Sequence, residues 1–281
     1  MQKLRMLVKN LWDDATLTVG TGELIPTLPL EHSQTYGRSK TAAITPDETG
    51  LSTVCFDCPE LTIASGLVLY RHWLSNIATW RLELFDEPGQ GGSCVFDSGV
   101  VECTPTKTLG ELDWLVDPLV SSVFDKWPHK YSQLWFAEVF FQSGRITLQD
   151  TEARDGLHEF DRIYLGRVFT PKFNFSYGHS HQWLSGEAQR KTAAGSTFAS
   201  QRAQFRQFNF SLDYIADSER GHLSDAIRSV GIAKDFFISL FPEQNGQKEI
   251  EYAMACKFTS NPALTGTFFN NYTAPMAVQE A

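Results

Sequence analysis

The sequence predicts an all-β protein with a single helix, divided into two domains. Aromatic residues make up 13% of the 281 residues, and aromatic side chains pack well on pleated sheets. Apolar and polar residues alternate in many short segments, as they do in half-buried strands. Turn signals rich in Gly and Pro separate these segments. A chain of this length is also near the size at which single cores split into two.

The first half of the chain indicates an antiparallel β-sandwich. Between residues 54 and 104 we expect four or five short strands. Leu67 to Tyr70 is a continuous apolar run, and Trp80, Leu82 and Leu84 alternate with charged residues. Turn chemistry follows in "EPGQGG" at 87–92 and "DSG" at 97–99, so strands and turns recur at the spacing of a sandwich.

The pattern changes near residue 155, where we place a domain boundary. The segment "DTEARDGLHEF" is charged and poor in apolar residues, which is typical of a connection. Further on, "FRQFNFSLDY" (205–214) is predicted to be a strand with two different faces. Its apolar face carries Phe208, Phe210, Leu212 and Tyr214, and its polar face carries Gln207, Asn209, Ser211 and Asp213.

A long loop and the helix complete the second domain. Residues 178–204 lack alternation and are rich in Gly, Ser, Ala and Gln, and a loop of this length is uncommon unless it has a function. A helix is predicted over 218–230, with Asp217 or Ser218 as its cap and Gly231 at its end. A hairpin is expected around Asn245 and Gly246.

Composition and charge exclude several classes of function. The net charge of −9 argues against a protein that binds nucleic acid by neutralising phosphates, although an acidic surface lets DNA slide past without adhering. No apolar run is long enough for a signal-peptide core or a membrane span, so we expect folding in a cytoplasm without targeting. The five cysteines are expected to be free thiols.

Motifs for catalysis or cofactor binding are not found, and we expect no enzyme activity, cofactor or metal. His179 and His181 could bind a metal from one side of an extended chain, but hydrogen bonding is the favoured interpretation. A glycosidase-like carboxylate pair stays open, because sequence gives no separation between carboxylates. Trp73, Trp127 and Trp183 lie in turn or loop contexts, where an indole ring could stack on a sugar or anchor a protein interface.

Two sets of segments resemble known families. "GLVLYRHWLSNIATWRLELFD", followed by "VFDSGVVE", resembles the jelly-roll modules of the galactose-binding or discoidin type in structural proteins of tailed bacteriophages. "FDRIYLGRVFTPKFNFSYG" through "RQFNFSLDYI", the helix and "FFNNYTAPMAV" resemble the tail-ring or baseplate domains of long-tailed phages. The resemblance implies a jelly-roll β-sandwich over 1–155. It implies a tail-ring β-sandwich or barrel over 156–281, with the helix at 218–230 and a long protruding loop.

The resemblance implies a virion structural protein of the phage tail tip, of the distal-tail or baseplate ring type. Such a protein forms a homo-oligomeric ring, a hexamer or trimer, linking the tail tube to the baseplate or hub. Its other partners would be the tape measure protein and DNA as a transient cargo through the lumen, and it would be assembled in the host cytoplasm. A jelly roll that precedes the ring domain departs from the usual distal-tail pattern. The loop that overlaps the neighbouring subunit would use His179, Trp183, Arg190, Phe198 and Arg202.

The alternative function is a carbohydrate-binding module that recognises a saccharide receptor on the host surface. Its contacts would be Trp73 and Trp127 in a concave site. A third class, a glycoside-active enzyme, would need two carboxylates that face one cleft.

Overall fold

The computed structural model describes residues 3–37, 39–104, 112, 114–115, 127, 130–200 and 202–281. About half of these residues form strands and only two α-helices are described, which confirms the all-β class. The chain divides into two units: the first is Met1–Phe169 with Ser239–Ala253, and the second is Thr170–Ile238 with Met254–Ala281.

The secondary structure comprises nineteen described strands, two described α-helices and short 3-10 turns. In chain order, the strands are β1 (Arg5–Leu7), β2 (Thr16–Thr21), β3 (Glu23–Leu24), β4 (Ala42–Thr45), β5 (Leu51–His72), β6 (Thr79–Phe85), β7 (Cys94–Asp97), β8 (Val101–Glu102), β9 (Tyr131–Gln149), β10 (His158–Gly166), β11 (Val168–Phe169), β12 (Ser180–Ser185), β13 (Gln189–Lys191), β14 (Thr197–Ala199), β15 (Gln204–Ala216), β16 (Phe236–Ser239), β17 (Ala253–Phe258), β18 (Thr265–Phe268) and β19 (Asn271–Glu280). The helices are α1 (Asp217–Val230) and α2 (Gly246–Glu251), and the 3-10 turns are Leu11–Asp14, Leu30–Gln34, Pro88–Gln90 and Arg154–Gly156.

The first unit is a β-sandwich whose two layers share long strands. Its sheet has the order β3-β4-β10-β5-β9-β6-β7, with β2 beside β5 and β8 beside β6. The pairing of β5 with β9 shifts register between Asp57 and Thr62, where the strands bend. Val54 before this shift and Leu67 after it lie in the same buried core, so the two long strands pass from one layer to the other.

The core of the first unit contains the strand residues predicted from alternation. Trp80, Leu82 and Leu84 of β6 are buried, as expected. Trp12 is fully buried beside Phe56, with 5.1 Å between ring centroids, and its indole Nε1 donates to Ser33 Oγ at 2.9 Å. The large ring is therefore accommodated without an unpaired donor.

Strand β10 lies in the first unit, although the predicted boundary near residue 155 assigned it to the second domain. It pairs with β4 on one side and with β5 on the other. All residues from Phe160 to Gly166 are buried, which is typical of a strand in the centre of a sheet. The charged segment before β10 is therefore a connection within the first unit.

The second unit is a sheet with the helix α1. The strand order is β16-β17-β19-β15-β12, and β18 pairs with β19. Helix α1 confirms the helix predicted over 218–230, and Leu223 and Val230 form its buried face. The predicted cap is wrong, because the N-cap residue is Ala216 and makes no side-chain bond. Gly231 ends the helix with φ of 55° and donates its N–H to the Ile227 carbonyl, as expected of a C-terminal glycine.

Strand β15 follows the predicted alternation only as far as Leu212. Phe208, Phe210 and Leu212 are buried, but Tyr214 is 63% exposed and Ile215 is buried instead. A register shift between Leu212 and Ile215 in the pairing with β19 explains this, because a bulge reverses which residues face the core.

The two strands of the hairpin expected around Asn245 and Gly246 are neighbours in the sheet, as β16 and β17, but a connection that contains a short helix joins them instead of a tight turn. Both residues have positive φ, at 54° and 76°, but they lead into the short helix α2. The Glu249 carboxylate Oε2 accepts the Asn245 backbone N–H at 2.6 Å, so a side chain within the helix bonds the backbone at its start. The turn residues were identified correctly, and the element that follows them was not.

Candidate functional site

An exposed arm extends from the edge of the second unit. Strands β12 and β15 pair in register, and their last pair is Ser185 with Gln204. Beyond this pair the chain continues as a second hairpin, in which β13 and β14 pair with Arg190 opposite Phe198. We call residues 188–200 the arm. The predicted loop at 178–204 is thus a stranded hairpin for most of its length.

The arm differs from the rest of the chain in its exposure and its charge. Every residue from 188 to 200 is exposed, and the Phe198 side chain is 65% exposed. A two-stranded hairpin that packs on nothing is marginally stable in water. The arm carries Arg190 and Lys191 and no acidic residue, whereas the whole chain has a net charge of −9. Its charge is therefore complementary to an acidic surface such as that of another copy.

The base of the arm is anchored by a buried ion pair. Arg206 Nη2 donates to Glu280 Oε1 at 2.7 Å, and the side chains are only 3% and 1% exposed. The guanidinium of Arg206 also lies 5.7 Å from the centroid of the Trp183 ring, within the range of a cation–π contact. Trp183 stands directly opposite Arg206 in the β12–β15 register. The start of the arm is therefore fixed to the sheet.

The residues predicted for the subunit interface are distributed along this hairpin. Trp183 is 40% exposed and lies in β12, so it is a strand residue and not the loop residue that was expected. Arg190 and Phe198 are brought together as a cross-strand pair in the arm. Arg202 lies on the return, where its backbone N–H donates to Glu187 Oε1 at 3.3 Å. His179 lies before β12 and packs edge-on against Phe175, at 5.0 Å between centroids.

The two histidines of this region make ring contacts. His181 lies 5.2 Å from Phe208 and 6.0 Å from Trp183, measured between ring centroids. Within the described ranges, no group of three or more His, Cys, Asp or Glu residues is placed to hold a metal ion.

All five cysteines are free thiols. No helix among the described residues is long and apolar enough to cross a membrane.

A polar pocket of about 210 Å³ lies within the first unit. Three segments far apart in sequence form it: the end of β8 with the residues that follow, the start of β9, and the loop that leads into α2. The residues that carry its polar groups are Glu102, Thr104, Ser132, Gln133, Asn245 and Glu249. Among the described lining residues none is Lys or Arg, and two, Glu102 and Glu249, carry carboxylates that can accept hydrogen bonds.

Glu249 organises the pocket. Its side chain is buried, and its two carboxylate oxygens accept hydrogen bonds from Gln133 Nε2 and from the Asn245 backbone N–H. Tyr131 Oη donates to the Glu249 backbone carbonyl at 2.8 Å, which ties β9 to α2. Burial raises the pKa of the Glu249 carboxyl, while the bonds from Asn245 and Gln133 act to lower it. The acceptors are thus held in a fixed arrangement.

Two pairs of side chains at or beside this pocket are of types that can act in catalysis: two carboxylates, and a serine with a histidine. Glu102 and Glu249 both line the pocket, and a glycoside-active enzyme needs two carboxylates that face one cleft, but both Glu249 oxygens accept hydrogen bonds from Gln133 and the Asn245 backbone. Ser132 Oγ lies 3.0 Å from His72 Nε2, but the serine hydroxyl donates to the Cys103 carbonyl. Burial lowers the pKa of His72 to about 3, far below the range of an efficient general base. The Ser132–His72 pair is therefore arranged as a buried structural bond.

Trp73 and Trp127, the residues predicted to contact a saccharide, both belong to the first unit. Trp73 follows β5 directly, is half-buried, and donates its backbone N–H to the Glu159 carbonyl at 3.0 Å. Trp127 is half-buried as well. Neither residue is among those that line the pocket. The pocket cannot be found from the sequence, because its lining comes from three distant segments without a shared motif.

Comparison with known proteins gives likeness of fold alone. No protein-family model and no curated protein matches the chain. A GH29 fucosidase of Ruminococcus gnavus, solved in complex with fucose, matches at 9% identity and a TM-score of 0.38 over 58% of this chain and 28% of the fucosidase. Chitosan-binding module 1 from a chitosanase/glucanase of Paenibacillus sp. IK-5 matches at 8% identity and a TM-score of 0.38, over 56% of this chain and 98% of the module. A fucose binding module of Streptococcus pneumoniae matches at 12% identity and a TM-score of 0.34, over 56% of this chain and 96% of the module. The chain thus spans under a third of the fucosidase and nearly all of each binding module.

Proposed function

We propose that the protein is a structural protein of a bacteriophage tail tip, whose second unit joins copies of the chain into a ring. The first unit is a jelly roll carried by that ring. The observation behind this proposal is the arm, an ordered hairpin that is exposed along its whole length and bears an exposed Phe198. On this proposal the ring joins the tail tube to the baseplate or hub, in a virion assembled in the host cytoplasm.

The chemistry of the arm favours another copy of the chain as its partner. The arm offers backbone groups of two strands, an aromatic ring and two cations. A neighbouring acidic copy supplies the opposite charge, and strand edges can pair across subunits. An acidic ring would also let DNA pass without adhering. None of these roles needs catalysis, and we propose that the protein is not an enzyme.

Removal of the arm is expected to abolish assembly and to leave a folded monomer. Ser185 and Gln204 stand opposite each other in the register, so an Asn-Gly turn in place of residues 186–203 can close β12 onto β15. We expect wild-type protein to form rings in a concentration series, measured by native mass and negative-stain imaging. The shortened protein should stay monomeric, with unchanged circular dichroism.

Point variants separate the contributions of the arm. Phe198→Ser and the double variant R190E/K191E should each weaken assembly, and higher ionic strength should weaken the wild-type ring. Phe140→Ser is the matched control, because Phe140 is a similarly exposed ring, at 61%, on β9 of the first unit. A wild-type chain that is monomeric at every concentration, or a shortened chain that still forms rings, would contradict the proposal.

Saccharide binding by the first unit is the second candidate function, and the polar pocket favours it. Pockets for small ligands combine a concave shape with a few fixed polar groups, and Glu249, Gln133 and Asn245 provide such groups. The full-length chain should bind at least one glycan on an array of host-type saccharides and should release no reducing sugar from it. An array without a hit would contradict this function, and released sugar would show that the protein is an enzyme.

A further inference from the structure

The size of the pocket in the first unit limits its ligand to one small group. Its volume of about 210 Å³ is below the range typical of sites for drug-sized ligands, about 300–1,000 Å³. Because a water molecule takes up about 30 Å³ in the liquid, the pocket holds about as much as seven waters. A single six-membered sugar ring is of this size, and a longer oligosaccharide would have to extend from the mouth.

The polar groups of the pocket favour a ligand that donates hydrogen bonds. A hydrogen bond from Gln133 Nε2 to Glu249 Oε1 fixes the orientation of the Gln133 side-chain amide. Its Oε1 is buried and has no hydrogen-bond partner in the part of the chain that the structure describes. A buried acceptor without a donor costs free energy, which a ligand hydroxyl beside it would offset. The carboxylates of Glu102 and Glu249 add further acceptors.

The same lining disfavours anions. Two carboxylates line the pocket, and among the described lining residues there is no Lys or Arg, so a ligand carboxylate, sulfate or phosphate would meet like charge there. A hydroxyl group or a protonated amine meets complementary groups instead.

We infer that this pocket binds one sugar residue that presents hydroxyl or amino donors and carries no negative charge, held by Glu102, Gln133 and Asn245. The inference rests on the saccharide-binding function proposed for the first unit, and it adds the place and the chemical class of the ligand. Glu249 is a positioning residue, because its carboxylate fixes Gln133 and the backbone of Asn245.

The test is a titration of the full-length protein, followed by NMR or calorimetry, with four probes: D-galactose, D-glucose, D-glucosamine and D-glucuronate. We expect binding of at least one of the first three and none of glucuronate. Asn245→Gly removes the side-chain amide and tolerates the positive φ of this position. Glu102→Gln removes a charge and keeps the shape. Each variant should weaken binding by at least about tenfold, since each removes a hydrogen bond or charge contact to the ligand.

Glu60→Gln is the control, because Glu60 is exposed on β5 of the same unit and does not line the pocket. Its binding should equal that of the wild type. If a sugar binds and both pocket variants bind it equally well, the pocket assignment is wrong and the saccharide function survives at another site. If glucuronate binds as well as the neutral sugars, the inferred ligand class is wrong. If the wild type binds none of the probes and no glycan on the array, both the inference and the saccharide function fail.

Discussion

Glu280→Gln is expected to lower the free energy of unfolding by about 3–5 kcal/mol, the usual cost of removing one partner of a buried ion pair. Three hydrogen bonds join the carboxylate to Arg206: from Nη2 at 2.7 Å, from Nε at 3.3 Å and from the backbone N–H at 3.0 Å. The side chains of Arg206 and Glu280 are 3% and 1% exposed, so water cannot solvate the guanidinium charge that is left without its partner. Chemical denaturation of the purified variant measures the effect.

An exposed ion pair of the first unit is the control for this prediction. Arg81 Nε donates to Asp97 Oδ1 at 2.8 Å, with side chains 42% and 40% exposed. Asp97→Asn should change the unfolding free energy little, because water and salt screen this pair. The double variant Arg206→Met with Glu280→Leu should recover much of the stability lost in Glu280→Gln, since an apolar pair of similar volume leaves no buried charge. Equal effects of Glu280→Gln and Asp97→Asn would show that burial of the Arg206 pair contributes nothing.

The elements that were predicted correctly depend on neighbours along the chain. Alternation predicts β6 and the first part of β15, and helical spacing predicts α1. In these segments the side chains that face the core recur with the period of the strand or of the helix, and this period is visible in the sequence. The errors come from tertiary pairing. β5 runs through Pro59 and Glu60 as one strand, since β9 pairs with it on both sides of a register shift. Tyr214 faces outward because β19 imposes a bulge.

The candidate sites show the same limit. The length of residues 178–204 and their lack of alternation predict a functional loop, with Phe198 and Arg190 at a subunit contact, and this stays a prediction. The strands of the arm could not be recognised, since both faces of β13 and β14 are exposed and leave no apolar period. The Arg206–Glu280 pair joins residues 74 positions apart. The pocket brings Gln133 to Glu249, 116 positions apart, and only the folded chain shows that contact.

A buried histidine gives the first unit a stability that depends on pH. His72 is fully enclosed at the end of β5, where Ser132 Oγ is its side-chain partner. Burial is the main cause that lowers its pKa to about 3, nearby Lys130 lowers it further, and Asp150 opposes both. In the unfolded chain the pKa is about 6.5. Between these two values the unfolded chain binds the proton and the folded chain does not, so stability falls as the pH falls below about 6.5.

The free energy of unfolding should therefore decrease between pH 7 and pH 4, with a contribution of about 3 kcal/mol from His72. His72→Gln cannot titrate, so its stability should depend less steeply on pH, whatever its absolute stability at pH 7. Two other buried groups also titrate: burial lowers the pKa of His158, and it raises the pKa of Asp161 to about 6. The shift of Asp161 acts in the opposite direction, because it favours the folded state as the pH falls. Only the contribution of His72 is removed in His72→Gln, so the difference between the two slopes measures it. His222→Gln, an exposed position on α1, should keep the wild-type slope. Denaturant titrations at four pH values measure this, and identical slopes for wild type and His72→Gln would show that His72 does not couple protonation to folding.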